Sequence, residues 1–152
     1  MTTRQASSGV RIFPPAIHIL SIALGFLLQW AVPLRIFGMR IPGFLLLGIA
    51  LGLIVWTAIL MSQAGTTPNP TRPTTALVIR GPFRFTRNPM YLAWELIVVG
   101  VGLAANTPWV IFMAVPAAWL TRRLVIDKEE RYLENKFDSE YRDYKSRVRR
   151  WA

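Results

Sequence analysis

The apolar positions in the first part of this chain form long runs instead of the alternating or striped patterns of a soluble fold. Two runs, at residues 16–34 and 41–61, contain no charged residue. Each has the length of about 20 residues that an α-helix needs to cross a bilayer. The pattern therefore predicts two transmembrane helices in the first half of the chain.

Two further apolar runs follow, at residues 90–105 and 109–126. The Asn-Thr-Pro sequence between them is a turn signal and predicts a tight helical hairpin. The second of these runs reaches spanning length only if Arg122 and Arg123 extend their charged ends to the lipid headgroups. The whole pattern predicts an all-α, polytopic membrane protein with about four transmembrane helices, in a single domain over residues 1–152.

Charged residues concentrate at the end of the chain, where the last 31 residues hold ten of the 18 Lys and Arg and seven of the eight Asp and Glu. Apolar residues recur there at spacings of three or four, which predicts an amphipathic helix over residues 122–150. Its apolar stripe consists of Leu133, Phe137, Tyr141, Tyr144 and Val148. Glu129 extends the same stripe towards the membrane, where an acid requires a partner.

The distribution of basic residues predicts the orientation in the membrane. With four spans, one side of the bilayer carries 16 of the 18 Lys and Arg, and the other side carries only Arg35 and Arg40. Because cytoplasmic segments are enriched in Lys and Arg, we expect both termini and the long loop at residues 62–89 in the cytosol. The first run lacks a small-residue cleavage site, so we expect it to be retained as a span.

Composition excludes several kinds of site. The chain is 53% apolar, carries a net charge of +10, and contains no Cys and one His. Disulfides, thiolate nucleophiles and Cys-based or His-clustered metal sites are therefore excluded, and we expect His18 to have a structural or interfacial role. The basic residues flank apolar runs, so a lipid bilayer explains the charge better than nucleic acid does.

The loop at residues 62–89 is rich in proline and leads into the third apolar run. Asn88 is a good helix N-cap, and Pro89 suits the first helical position. The free N–H groups of such a helix start attract an anion, and Arg84 and Arg87 add positive charge. The alternative is a simply capped helix with arginines that reach the headgroups. Glu95, the one acid inside the runs, indicates either a functional site or a buried partner for an arginine.

Two blocks of sequence resemble a family. Residues 74–91 read Thr-Thr-Ala-Leu-Val-Ile-Arg-Gly-Pro-Phe-Arg-Phe-Thr-Arg-Asn-Pro-Met-Tyr. This is similar to the signature of the integral-membrane methyltransferases that act on isoprenylcysteine carboxyl groups and on phospholipid amines. The pattern that begins at Glu129-Glu130 and continues through Leu133, Phe137 and Tyr141 resembles the tail of the same family. The resemblance covers about residues 66–151.

The resemblance implies a methyltransferase that uses S-adenosylmethionine at the cytosolic membrane face. The positions that match cofactor contacts of the family are Thr75, Ala76, Leu77, Val78, Phe83, Asn88, Pro89, Tyr91 and Glu129. Arg87 and Glu130 are the expected catalytic residues. The expected substrate is a membrane lipid, a prenylcysteine-like compound or another apolar small molecule. The location implied is the inner or plasma membrane of a prokaryote, because the Asn-Pro-Met-Tyr form is similar to many bacterial members.

Some positions depart from the isoprenylcysteine branch. Asn88 stands where that branch has histidine, and Val125 stands where it has a substrate-binding arginine. Arg123 is the expected substitute, as a substrate-binding residue. Two alternative functions stay open at this level: a membrane sterol-type reductase that uses NADPH, which shares a related helical fold, and a small non-enzymatic membrane scaffold.

Overall fold

The computed structural model describes residues 9–10, 12–69 and 72–151, and these residues form helices and no β-strand, as predicted. The helices are α1 (Pro14–Ala31), α2 (Arg40–Gln63), α3 (Pro89–Ala104), α4 (Pro108–Phe112), α5 (Ala114–Thr121) and α6 (Asp127–Arg147). A 3₁₀ turn at Gly81–Arg84 lies in the loop before α3, and a π-helical segment at Arg122–Ile126 joins α5 to α6.

Three helical segments within the described residues are long and apolar enough to cross a membrane: Pro14–Ala31, Arg40–Gln63 and the continuous stretch Pro108–Arg147. The apolar helix α3 has 16 residues and is shorter than these. A membrane-spanning count of four therefore stays a prediction. The first helix ends at Ala31, three residues before the predicted end, because Pro33 keeps the preceding Val32 out of the helical region (φ −134°, ψ 88°).

The predicted fourth span at residues 109–126 and the predicted tail helix at residues 122–150 fall within one run of helical segments, Pro108–Arg147, with no loop at their junction. The π-helical segment Arg122–Ile126 lies at this junction, between α5 and α6. The tail helix differs from the prediction in two ways. The backbone at Asp138 has φ 43°, which bends α6, and the helix ends at Arg147 because Val148 is extended.

Helix α2 packs closely on α3 because two glycines remove side chains from the contact. A Cβ on Gly43 would lie 2.4 Å from the backbone nitrogen of Ala104, and a Cβ on Gly100 would lie 2.9 Å from the side chain of Leu47. Distances this short leave no room for any other residue type at Gly43, since its neighbour is backbone. The close approach places the C-terminal end of α2 beside the start of α3.

A buried cluster joins the start of the chain, α1, α3, α5 and the π-helical segment. It consists of Val10, Ile17, Tyr91, Ala117, Val125 and Ile126, with Leu120, Leu124 and Trp151 packed against it. Trp151 belongs to the segment that follows α6, so the chain end returns to the body of the protein. This return brings the residues after α6 next to the loop that precedes α3.

The partner of Glu95 is a histidine. The sequence pattern indicated either an arginine partner or a functional site at this position. The Nε2 atom of His18 lies 2.9 Å from Oε1 of Glu95, and His18 Nδ1 lies 3.2 Å from the carbonyl oxygen of Pro14. The side chain of His18 is fully buried. The pair connects α1 to α3. His18 is the one histidine of the chain and Glu95 the one acid within the apolar runs.

Candidate functional site

A cavity lies at the end of the bundle where α2 ends and α3 begins, between the loop of residues 64–88 and α6. Most of the predicted site residues line it: Ala76, Leu77, Val78, Phe83, Arg87, Asn88, Pro89, Tyr91, Glu129 and Glu130. The wall is completed by Met61, Thr67, Pro68, Asn69, Thr74, Met90, Leu133, Tyr141 and Tyr144. The two sequence blocks, separated by a helical hairpin, therefore meet around one space.

The loop is held against the end of α2 by Thr75. Its hydroxyl donates a hydrogen bond of 2.6 Å to the carbonyl oxygen of Gly65, and its backbone N–H donates to Oγ1 of Thr66 at 3.2 Å. These bonds turn the following residues, Ala76–Val78, towards the cavity. Thr75 itself is not among the lining residues, so in this structure it anchors the loop.

Tyr91 and Glu129 connect the two helices that face the cavity. The Tyr91 phenol donates a hydrogen bond of 2.8 Å to Oε2 of Glu129. Glu129 lies beyond the apolar part of its helix, and its desolvation raises the pKa of the carboxyl to about 7. The bond from Tyr91 opposes this rise, and the charge of Glu130 adds to it. Burial thus makes this carboxyl easier to protonate than an exposed glutamate.

Glu130 is buried and is the centre of an ionic cluster. Arg150 binds both of its oxygens, through Nε at 3.0 Å and Nη2 at 2.7 Å. Arg87 approaches one oxygen, with Nη2 at 3.2 Å from Oε1. Asp127 pairs with the remaining nitrogen of Arg150, Nη1, at 3.2 Å. The carboxylate of Glu130 thus has two guanidinium partners, and this is the pairing that a buried charge requires.

The chain end also makes backbone contacts with the start of α3. The carbonyl oxygen of Arg150 accepts hydrogen bonds from Oγ1 of Thr86 at 2.9 Å and from Nδ2 of Asn88 at 3.0 Å. The backbone N–H of Arg87 donates to the carbonyl oxygen of Arg149 at 2.9 Å. Three consecutive residues of the loop therefore hold the segment that follows α6.

Asn88 occupies the N-cap position of α3, as predicted, but its side chain is bonded to the carbonyl oxygen of Arg150 and makes no capping hydrogen bond. Pro89 does occupy the first turn, as predicted. The side-chain cap is thus missing at the start of α3, where Asn88, Pro89, Met90 and Tyr91 line the cavity. Uncapped N–H groups at a helix start favour an anion nearby.

Arg87 has unused hydrogen-bonding capacity at the cavity. Its side chain is 9% exposed. Two of its buried nitrogens, Nε and Nη1, have no hydrogen-bond partner among the described residues. Buried donors without partners are costly unless a ligand or water satisfies them. Arg87 and the uncapped start of α3 together fit a small anionic group, such as the carboxylate of an amino-acid moiety.

Aromatic rings form another part of the lining. Tyr144 donates a hydrogen bond of 2.7 Å from its phenol to the carbonyl oxygen of Phe83, which fixes the 3₁₀ turn against α6. Tyr141 and Tyr144 are buried with their ring centroids 6.1 Å apart. The apolar stripe of the tail placed these two tyrosines on one face but did not indicate that the face lines a site.

Three arginines do not line the cavity, and one of them, Arg150, was not predicted from the sequence. Arg123, the expected substrate residue, is exposed in the π-helical segment and does not line the cavity, and Arg84 is exposed at the end of the 3₁₀ turn. A substrate role for Arg123 stays a prediction. Arg150 lies beyond the matched tail pattern, and no local spacing in the sequence singles it out.

Comparisons with known proteins agree with the two-block pattern. The family described as phospholipid methyltransferase matches residues 39–140 of this chain. An uncharacterized protein of Haemophilus influenzae is 37% identical over 70 residues, which cover 41% of this chain and 98% of that protein. No solved structure matches the chain.

The family match spans more than half of the chain and includes α2, the loop, α3 and most of α6. Together with three helices that are long and apolar enough to cross a bilayer, it indicates an integral membrane protein. The residues matched include nearly the whole lining of the cavity. The chain belongs to the phospholipid methyltransferase family.

Proposed function

We propose that this protein transfers a methyl group from S-adenosylmethionine to a lipid or another apolar small molecule at the cytosolic face of the membrane. The observation that carries the proposal is the composition of one cavity wall. It combines an acid, Glu129, that is held by Tyr91, an arginine, Arg87, with buried donors that have no partner among the described residues, and several aromatic rings. These groups complement the charges of the cofactor.

Each charged part of the cofactor has a counterpart in the cavity. Arg87 and the uncapped N-terminus of α3 would hold the carboxylate of its methionine moiety. Glu129 would hold the ammonium group or the ribose hydroxyls. Aromatic rings such as Phe83 and Tyr144 would pack on the adenine or face the positive sulfur. When bound, S-adenosylmethionine supplies a methyl group on a positively charged sulfur.

The chain's own contribution to such a reaction is binding and alignment. A direct transfer needs the acceptor atom held close to the methyl group, and holding two reactants in register lowers the barrier without a covalent enzyme intermediate. The Tyr91–Glu129 bond and the Glu130 cluster fix the side chains from three segments around one space. The catalytic roles that the resemblance implies for Arg87 and Glu130 stay predictions.

An apolar acceptor fits the setting of the cavity. Met61, Met90 and Leu133 line it next to the ends of α2 and α3. The helices that carry the first two residues are apolar along their length. A lipid or prenyl-like substrate would therefore meet an apolar surface on its way to the cavity, and a soluble polar substrate would not be favoured there.

The test uses the purified protein in detergent with S-adenosylmethionine labelled in the methyl group. We expect saturable binding, and label in the lipid fraction when a total lipid extract is added. Glu129→Gln should lose most of the binding. Glu134→Gln is the matched control, because it changes the same chemical group on the same helix outside the cavity lining.

Other outcomes would contradict the proposal. If the wild-type protein binds NADPH and not S-adenosylmethionine, the sterol-type reductase is the better interpretation. If neither compound binds or raises the thermal unfolding temperature, a non-enzymatic scaffold is favoured. If binding is equal in the wild-type protein and Glu129→Gln, the site assignment is wrong even though the cofactor is right.

A further inference from the structure

We propose that Arg150 is a positioning residue that keeps Arg87 available for the carboxylate of the cofactor by occupying both oxygens of Glu130. The inference rests on the proposed function, since it concerns the same cavity. It adds a residue from the segment that follows α6, which lies beyond the matched tail pattern and does not line the cavity.

The two arginines around Glu130 are used in opposite ways. Arg150 is engaged with the protein through all three guanidinium nitrogens: two bind Glu130, and the third pairs with Asp127. Arg87 uses only Nη2 for Glu130, while its buried Nε and Nη1 lack partners among the described residues. Arg87, the arginine that lines the cavity, is therefore the one whose N–H donors are free to bind a ligand.

The geometry makes the two arginines competitors for one carboxylate. A carboxylate and a guanidinium pair most strongly when two parallel N–H···O bonds form. Arg150 makes this bidentate pair, so Arg87 is left with a single contact at the longer distance of 3.2 Å. Without Arg150, Glu130 would have a free oxygen in a buried setting. Arg87 would then close a bidentate pair with it and withdraw donors from the ligand.

The side chain of Arg150 can be changed without releasing the segment that carries it. The bonds from Thr86 and Asn88 go to the backbone carbonyl of Arg150, and Trp151 packs on the buried cluster. These contacts do not depend on the guanidinium group. A substitution at Arg150 therefore tests the charge arrangement at Glu130 more than the docking of the chain end.

The experiment compares two ligands, S-adenosylmethionine and its decarboxylated form, which differ by the carboxylate alone. Binding is measured by titration calorimetry on the full chain in detergent. A charge-assisted hydrogen bond to the carboxylate should make wild-type protein prefer S-adenosylmethionine by about tenfold or more. In Arg150→Gln we expect this preference to fall to about twofold, through weaker binding of S-adenosylmethionine only. Arg149→Gln, an exposed neighbour, is the matched control and should keep the full preference.

A second variant separates positioning from mere stabilisation. In Arg150→Gln/Glu130→Gln the carboxylate that would capture Arg87 is gone, so the preference for S-adenosylmethionine should return. A purely structural role for Arg150 would change the binding of both ligands together and leave the ratio of their affinities unchanged in both variants. If Arg150→Gln cannot be recovered in folded form, Arg150→Lys serves instead, because one ammonium group cannot form the planar bidentate pair.

Three results would overturn this inference and leave the proposed function standing. Equal loss of affinity for both ligands in Arg150→Gln would show a structural role only. An unchanged preference would show that Arg87 does not depend on Arg150. Equal binding of both ligands by the wild-type protein would show that Arg87 does not bind the carboxylate. The proposed use of S-adenosylmethionine would not be affected by this result. Wild-type protein that binds neither ligand would instead overturn the proposed function, and this inference with it.

Discussion

The phenol of Tyr91 on α3 donates a 2.8 Å hydrogen bond to Oε2 of Glu129 on α6, across 38 residues of sequence. Like the Arg87–Glu130 ion pair, it links the two sequence blocks of the family directly through side chains at the cavity. Because Glu129 faces the proposed ammonium or ribose position, the bond orients an acid that would otherwise have several rotamers to choose from.

Removing this bond should weaken cofactor binding without destroying the site. Tyr91→Phe keeps the ring and deletes one hydrogen bond to a group that is charged above its pKa, so we expect the affinity for S-adenosylmethionine to fall by about tenfold. Binding in detergent measures this. Tyr132→Phe, a buried tyrosine of α6 outside the cavity lining, should leave affinity unchanged. Additive losses in Tyr91→Phe/Glu129→Gln would contradict the coupling of the two residues.

Cofactor binding should depend on pH through Glu129. Burial raises the pKa of this carboxyl to about 7, so below pH 7 it is largely protonated and unable to pair with an ammonium group. The affinity for S-adenosylmethionine should therefore rise from pH 5.5 to pH 7.5, by at most about tenfold per pH unit. Glu129→Gln should remove this slope. A slope that persists in the variant would assign the titration to another group.

The contact between α2 and α3 should tolerate no side chain at Gly43. A Cβ there would meet backbone atoms of Ala104 at 2.4 and 2.8 Å, so the helices must separate, at a cost of about 1–3 kcal/mol or more. We expect Gly43→Ala to lower the thermal unfolding temperature in detergent. Gly48→Ala is the control on the same helix, because a Cβ there meets no described atom within 4 Å. Equal effects of the two variants would refute the packing argument.

The pair between His18 and Glu95 should behave as a unit. His18→Leu leaves the Glu95 side chain, which is 12% exposed, without its partner, and losing one member of a buried pair costs about 3–5 kcal/mol. The unfolding temperature should drop strongly. The double variant His18→Leu/Glu95→Leu should recover much of the loss, since no polar group is then left unpaired. A double variant less stable than His18→Leu would show that Glu95 has a role of its own.

Much of the secondary structure follows from local sequence. The charge-free runs correspond to α1 and α2 because a single apolar segment can satisfy all of its own backbone hydrogen bonds in lipid when it is a helix. The start of α3 at Pro89 follows from the fixed φ of proline. The ends of the tail helix were predicted less well. Neither the junction at Arg122–Ile126 nor the extended Val148 has a local signal as strong as proline.

The sequence by itself determined an apolar helical protein with two blocks of polar chemistry, because hydrophobic runs, prolines and spacings are local properties of the chain. Only the tertiary structure decided the partners. His18 meets Glu95 across 77 residues, Asn88 bonds to the carbonyl of Arg150 across 62, and Arg150 binds Glu130 across 20. A buried charge or amide needs a partner, but local spacing does not reveal which distant one packing will bring within reach. The choice of Arg87 as the arginine with free donors is therefore a property of the fold.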